Sequence, residues 1–99
     1  MYARVAYYQF KPGTAKQAAQ KAEQGLLPIY RQHAGFHSYE VFLTGGDTAY
    51  SVSVWENEGQ ATEAVQAAQQ WVQVNMADLV VSAQNHVGEV AFSHRASQQ

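Results

Sequence analysis

Residues 49–56 alternate Tyr50, Val52 and Val54 with Ser51, Ser53 and Trp55. Period-two patterning in strand-favouring residues predicts a strand with two different faces. Ahead of it, Gly45-Gly46-Asp47 signals a tight turn back to an earlier strand. Behind it, Asn57-Glu58-Gly59 leads into a long Ala/Gln-rich run with helical spacing. A strand entered through a hairpin and left through a helical crossover belongs in the middle of a sheet.

The rest of the chain falls into place around this strand. Residues 2–10 form a first strand, with Tyr2, Arg4, Ala6, Tyr8 and Phe10 on one face and Ala3, Val5, Tyr7 and Gln9 on the other. Both faces are largely apolar, so both are expected to be covered. After Lys11-Pro12-Gly13, Thr14 and Gln17 have capping-box spacing. Ala15, Ala18, Ala22, Leu26, Ile29, Tyr30 and His33 then recur along one side of an amphipathic helix. Gly25 and Pro28 interrupt it, which predicts a kink or restart near Leu27. Gly35 suits a left-handed turn after the helix. Residues 36–43 read as a second strand, with Phe36, Ser38, Glu40 and Phe42 opposed to His37, Tyr39, Val41 and Leu43. A second helix is expected over 60–74, with Asn75 ending it or capping a short continuation, and a last strand over 86–94. The tail from Arg95 to Gln99 is expected to be loose.

The order β-α-β-β-α-β, built from two right-handed crossovers joined by a hairpin, predicts a ferredoxin-like α+β fold with a four-stranded antiparallel sheet. The first and third strands lie in its middle. The 99 residues make one domain, with an ordered core of about 2–94. Two helices cover one face of such a sheet, yet the strands carry large apolar side chains on both. A second copy of the sheet is the simplest cover, because a two-fold interface is self-complementary. Charged residues are 14% of the chain, against the usual ~25%, which fits a surface partly withdrawn from water.

Charge and composition narrow the partners. A net charge of −2 with no basic run gives nucleic acid nothing to bind. The absence of cysteine rules out disulfides and thiolate chemistry. No signal-peptide pattern and no apolar run of ~20 residues is visible, so a soluble cytoplasmic protein without a membrane partner is expected.

Several motifs resemble those of the antibiotic biosynthesis monooxygenase family, within the dimeric α/β-barrel superfamily. They are Phe10-Lys11-Pro12-Gly13, Pro28 with Gly35-Phe36, and Ser53-Val54-Trp55-Glu56. Trp71-Val72 with Ala77-Asp78-Leu79, and Gly88-Glu89-Val90, complete the pattern. The resemblance implies a homodimer, and for the family's oxygenases a reaction without metal, flavin or haem. Quinols, phenols or anthrone-like polyketides then supply the electrons for reaction with oxygen. It implies an apolar pocket between sheet and helices, with a base or hydrogen-bond donor at the phenolic oxygen. Non-enzymatic ligand-binding or structural proteins share the fold and form the alternative. The haem-degrading branch uses an asparagine on the first strand, plus a tryptophan and an iron-binding histidine on or near the second helix; here the first strand has no asparagine and the second helix no histidine, and Trp71 alone does not make that site.

Candidate walls for a small aromatic ligand are Tyr7, Tyr8, Tyr39, Trp55 and Phe92. Candidate catalytic residues are His33, Asn75 and Trp71, with His33 as general base because it follows Leu26 and Tyr30 on the apolar helix side. Trp55 and Trp71 equally suit core packing. Arg4, set mid-strand between aromatics, is expected to pair with Glu40 or Glu89 across an interface. His33 and His37 have an i, i+4 spacing, but Gly35 between them breaks the helix, so no metal site is expected.

Overall fold

In the computed structural model, which describes residues 1–96, the elements are β1 (Tyr2–Phe10), α1 (Ala15–Gln32), β2 (Phe36–Gly45), β3 (Thr48–Trp55), α2 (Glu58–Asn75) and β4 (Val80–Glu89). They form one antiparallel sheet in the order β2-β3-β1-β4, with β1 and β3 central. This is the ferredoxin-like arrangement that the alternation in residues 49–56 implied. Both helices pack on the same face, against Arg4, Ala6, Tyr8 and Phe10 of β1 and Ala49, Ser51, Ser53 and Trp55 of β3, all of them buried. Among the described residues no helix is long and apolar enough to cross a membrane.

Four expectations change. The helix α1 is unbroken from Ala15 to Gln32 with Pro28 inside it. Pro28 and Gln24 both lie exposed, so water can reach the carbonyl that proline leaves without its amide partner. Thr14 forms no capping box: its hydroxyl donates to the Lys11 carbonyl at 2.8 Å. The side-chain cap is on α2 instead, where Asn57 Oδ1 accepts from the Gln60 amide at 2.9 Å. A bulge between Phe36 and Ser38 reverses the alternation at the start of β2, so Phe36 joins Tyr39 on the helix side and His37 is exposed. Finally, β4 is Val80–Glu89 rather than 86–94. Residues 80–85 are drawn into the sheet by pairing with β1, although Ser82, Gln84 and Asn85 are poor strand formers. The loose tail expected over 95–99 lies outside the described residues from 97 onward.

Two turns are pinned together. Gly45, Gly46 and Asp47 all have positive φ, and Asp47 accepts the Gly13 amide through Oδ1 at 2.9 Å and the Phe10 amide through its carbonyl at 2.8 Å. The β2–β3 hairpin therefore anchors the loop that launches α1.

The space between sheet and helices holds two apolar clusters. One gathers Ala6, Tyr8, Phe10, Ala18, Ala49, Met76 and Leu79; the other gathers Leu26, Tyr30, Trp55, Ala61, Ala64 and Ala68. Trp71 of α2 packs against both. Its indole lies directly over Gly25 of α1, where a Cβ would approach it to 2.5 Å. Alanine favours a helix over glycine by ~1 kcal/mol, and overpacking of this kind costs about 1–3 kcal/mol. Gly25→Ala should therefore lower stability by about 1 kcal/mol in chemical denaturation. In a Trp71→Ala background the same change should stabilise by about 1 kcal/mol; an equal effect in both backgrounds would refute the contact.

Candidate active site

Where the two clusters meet, the sheet presents a charged residue to the interior. Arg4 is 1% exposed. Its Nε and Nη2 donate to Asn85 Oδ1 at 2.9 and 2.6 Å, a two-pronged contact that holds the guanidinium plane. Nη1 donates to the Tyr30 hydroxyl at 2.8 Å and Nη2 to the Tyr8 hydroxyl at 3.0 Å. Arg4 pairs with neither Glu40 nor Glu89. Glu40 sits opposite Val52 on the other face of the sheet, and Glu89 opposite Tyr2 at its end. The ion pair among the described residues is His37–Glu56 at the surface. The guanidinium thus meets neutral oxygens only.

The neighbours extend this polar seam. Trp55 Nε1 donates to Ser53 Oγ at 2.9 Å. Tyr30 stands edge-on to Tyr39 and Trp55, with ring centroids 4.8 and 5.1 Å away. Burial pushes the Tyr30 hydroxyl up to about 12, against the opposing pull of Arg4. Burial, then the neighbouring Tyr30 and Tyr8, raise Tyr39 as well. Both phenols are neutral donors at physiological pH.

Beside the seam lies a cavity with two parts. The inner chamber, about 20 Å³, is walled by Tyr8, Phe10, Tyr39, Ser51 and the alanines of α1. Ser51 is 3% exposed and its hydroxyl has no hydrogen-bond partner. A volume of this size holds one water-sized group. The outer cleft, about 300 Å³, opens between α1 and β2 and shares Ala19, Tyr39 and Val41 with the chamber; Gln20 and Glu23 stand at its edge. A ring fits in the cleft and an oxygen in the chamber.

The residues singled out from sequence are distributed over five places. Tyr8 and Tyr39 line the inner chamber. Trp55 is wholly buried beside Tyr30 and Phe36. Tyr7 is on the helix-free face against Tyr50, and Phe92 is 86% exposed beyond β4. His33, Trp71 and Asn75 come together, but in an open groove of about 560 Å³ between the outer sides of α1 and α2, with Glu63 and Ile29. The ring of His33 lies 6.3 Å from that of Trp55. Asn75 Nδ2 donates to the Trp71 carbonyl at 2.9 Å. Sequence reading missed Ser51 and Asn85. Asn85 fell outside the last strand as first drawn, and counting back by two from Val87 would have put it on the helix side.

The raised tyrosines make the fold sensitive to alkali. A phenol whose pKa is higher folded than unfolded stabilises fully below about pH 10, and loses that contribution as pH rises towards about 12. For Tyr30 the full loss is of order 2–3 kcal/mol. Ultraviolet titration should show Tyr30 and Tyr39 ionising together with unfolding. Tyr30→Phe should flatten the stability profile between pH 10 and pH 12; an unchanged slope would contradict this.

The sequence model of the family described as antibiotic biosynthesis monooxygenase matches residues 1–74. No curated protein matches the sequence. Among solved structures, NE2512 of Nitrosomonas europaea, a protein of unknown function, superposes with a TM-score of 0.79 at 17% identity, over 98% of this chain and 95% of that one. A Chloroflexus aurantiacus J-10-fl protein, provisionally named an antibiotic biosynthesis monooxygenase, gives 0.70 at 15% identity over 95% and 96%. SO0527 of Shewanella oneidensis gives 0.69 at 23% identity over 88% and 87%. At these identities the structures share the fold with this chain; the family match covers three-quarters of its length. With its β-α-β-β-α-β order and helix-covered antiparallel sheet, the chain belongs to the antibiotic biosynthesis monooxygenase family.

Proposed function

We propose that the protein is a cofactor-independent monooxygenase of an aromatic substrate, a quinol, phenol or anthrone-like polyketide, and that the cavity between α1 and the sheet is its active site. The observation that carries this is a chamber with apolar and aromatic walls, Tyr8, Phe10 and Tyr39 among them, lined also by Ser51, whose buried hydroxyl has no partner. A buried hydroxyl without a partner costs about 1–3 kcal/mol, and a substrate oxygen seated there would recover it. The aromatic walls exclude water from the ring, and Tyr8 and Ser51 offer hydrogen bonds to its oxygen. In the overall reaction an anthrone-like ring CH₂ and O₂ give C=O and water, and a phenol or quinol gives up one ring C–H and one O–H hydrogen to form a quinone C=O and water, the substrate supplying the electrons in each case.

Oxygen uptake by EDTA-treated protein, measured over a panel of quinols, phenols and anthrones, tests this reading. At least one should be consumed with one O₂ per substrate; no uptake with any would reject it. Ser51→Val keeps the shape and removes the hydroxyl, and should lower kcat/KM by roughly 10–100-fold. The groove of His33, Trp71 and Asn75 is the competing location. Loss of turnover in His33→Gln but not in Ser51→Val would move the chemistry there.

We also propose a two-fold homodimer through the helix-free face. Val5, Tyr7, Tyr50, Val52 and Val54 form a half-buried apolar patch on it, edged by Phe42, which is 50% exposed. Monomeric proteins rarely leave such patches open. Light scattering at micromolar concentration should give twice the 10.9 kDa chain mass, and Val52→Lys should shift it towards monomer or unfolded chain. A monomeric wild type would overturn the dimer.

A further inference from the structure

The helix-free face of the sheet carries a titratable side chain at each of its two edges. Val5 pairs with Val52 on one side and with His86 on the other, and Val52 pairs with Glu40. Glu40, Val52, Val5 and His86 therefore form one row across the face, from edge strand β2 to edge strand β4. Glu40 and His86 are both exposed, and neither belongs to an ion pair among the described residues. The other titratable groups that the paired strands present on this face are the phenols of Tyr7 on β1 and Tyr50 on β3. Strands lie about 4.8 Å apart, which puts Glu40 and His86 each ~7 Å from the line between β3 and β1. Charges on edge strands commonly keep sheet edges from pairing. That role requires neither opposite signs nor a shared row.

A two-fold axis can stack two such faces in two ways. With the axis across the strands, β2 lies over the partner's β2, and Glu40 meets the partner's Glu40. With the axis along the strands, β2 lies over the partner's β4. Glu40 then meets the partner's His86, Val52 meets the partner's Val5, and the opposite rim repeats the contact. The twist angle of ~30° between packed sheets does not exchange their edges. The gap of ~10 Å between them lies within the combined reach of a glutamate and a histidine. We infer that a second copy of this chain sits in the second way, locked by two symmetric Glu40–His86 pairs at the rims of the apolar patch, and that these pairs select the orientation of the partner. The inference rests on the homodimer proposed above and adds to it an orientation and a dependence on pH. Opposite charges at both rims favour this arrangement, and like charges at the rim disfavour the other. The valines between the rims are the same in both, so they do not make the choice.

Dimer dissociation constants of the full-length chain, from analytical ultracentrifugation at about pH 6, test this. Circular dichroism on dilution reads the same equilibrium for any variant that unfolds as it dissociates. Glu40→Lys sets a cation against the partner's His86, and His86→Glu sets a carboxylate against the partner's Glu40. Each should weaken the homodimer at least about tenfold, because symmetry makes every change twice. The double variant Glu40→Lys/His86→Glu should return to within about threefold of wild type. Mixed with wild type, the double variant should sort into homodimers, since both rims of a mixed dimer would then oppose like charges. The crosswise stacking predicts the reverse, a mixed dimer in excess. A histidine carries its charge only on the acid side of neutrality. Wild type should therefore tighten by about threefold or more from about pH 8 to about pH 6, and His86→Gln should lose that change while the other three histidines remain. A wild-type dimer indifferent to both single variants, a double variant as weak as they are, or an excess of the mixed dimer would each overturn the inference and leave the homodimer standing. A monomeric wild type would overturn both.

Discussion

The placement of one guanidinium in a dry interior conditions most of what surrounds it. Arg4 comes from the central strand β1, and its four hydrogen bonds reach α1 through Tyr30, β4 through Asn85 and its own strand through Tyr8. The two apolar clusters are separate because this polar seam runs between them, with Tyr8 assigned to one and Tyr30 to the other. Replacing buried ions by apolar residues is often neutral or stabilising, so a charge retained here without a counter-ion is poorly explained by stability.

The sheet divides its two faces between different tasks. Toward the helices, β3 sets the small hydroxyls of Ser51 and Ser53 between Ala49 and Trp55, which leaves room for the tyrosines of β1 and β2. Away from them, the same strand presents Tyr50, Val52 and Val54, a surface suited to another apolar surface. The period of a strand is two, so a single residue inserted into β3 would exchange the tasks of its two faces.

The architecture was legible because the alternation in residues 49–56, the flanking turn and the helical spacing all point the same way. Where local signals were weak, tertiary pairing decided: Ser82, Gln84 and Asn85 are in β4 because β1 offers them backbone partners. The Phe36 face was misjudged because a bulge leaves no mark in composition. Arg4 could be recognised as unusual, but its partners could not, since a carboxylate is the ordinary expectation and the actual acceptors are two phenols and an amide. Ser51 looked like one polar member of an alternating strand. That it lacks a partner is a property of packing alone.

The wall that α1 turns to the cavity is made of Ala15, Ala18, Ala19 and Ala22. Alanine has no side-chain rotamers, so this wall has nothing to swing aside and loses no side-chain entropy when a guest arrives. The gap it leaves is fixed by the distance between helix backbone and sheet, and behaves as a rigid gauge. A methyl-sized change on the guest meets a surface that yields only if the whole helix moves. The size of this chamber is therefore set by the backbone, and a single alanine-to-valine exchange on α1 is the shortest evolutionary step by which it can narrow.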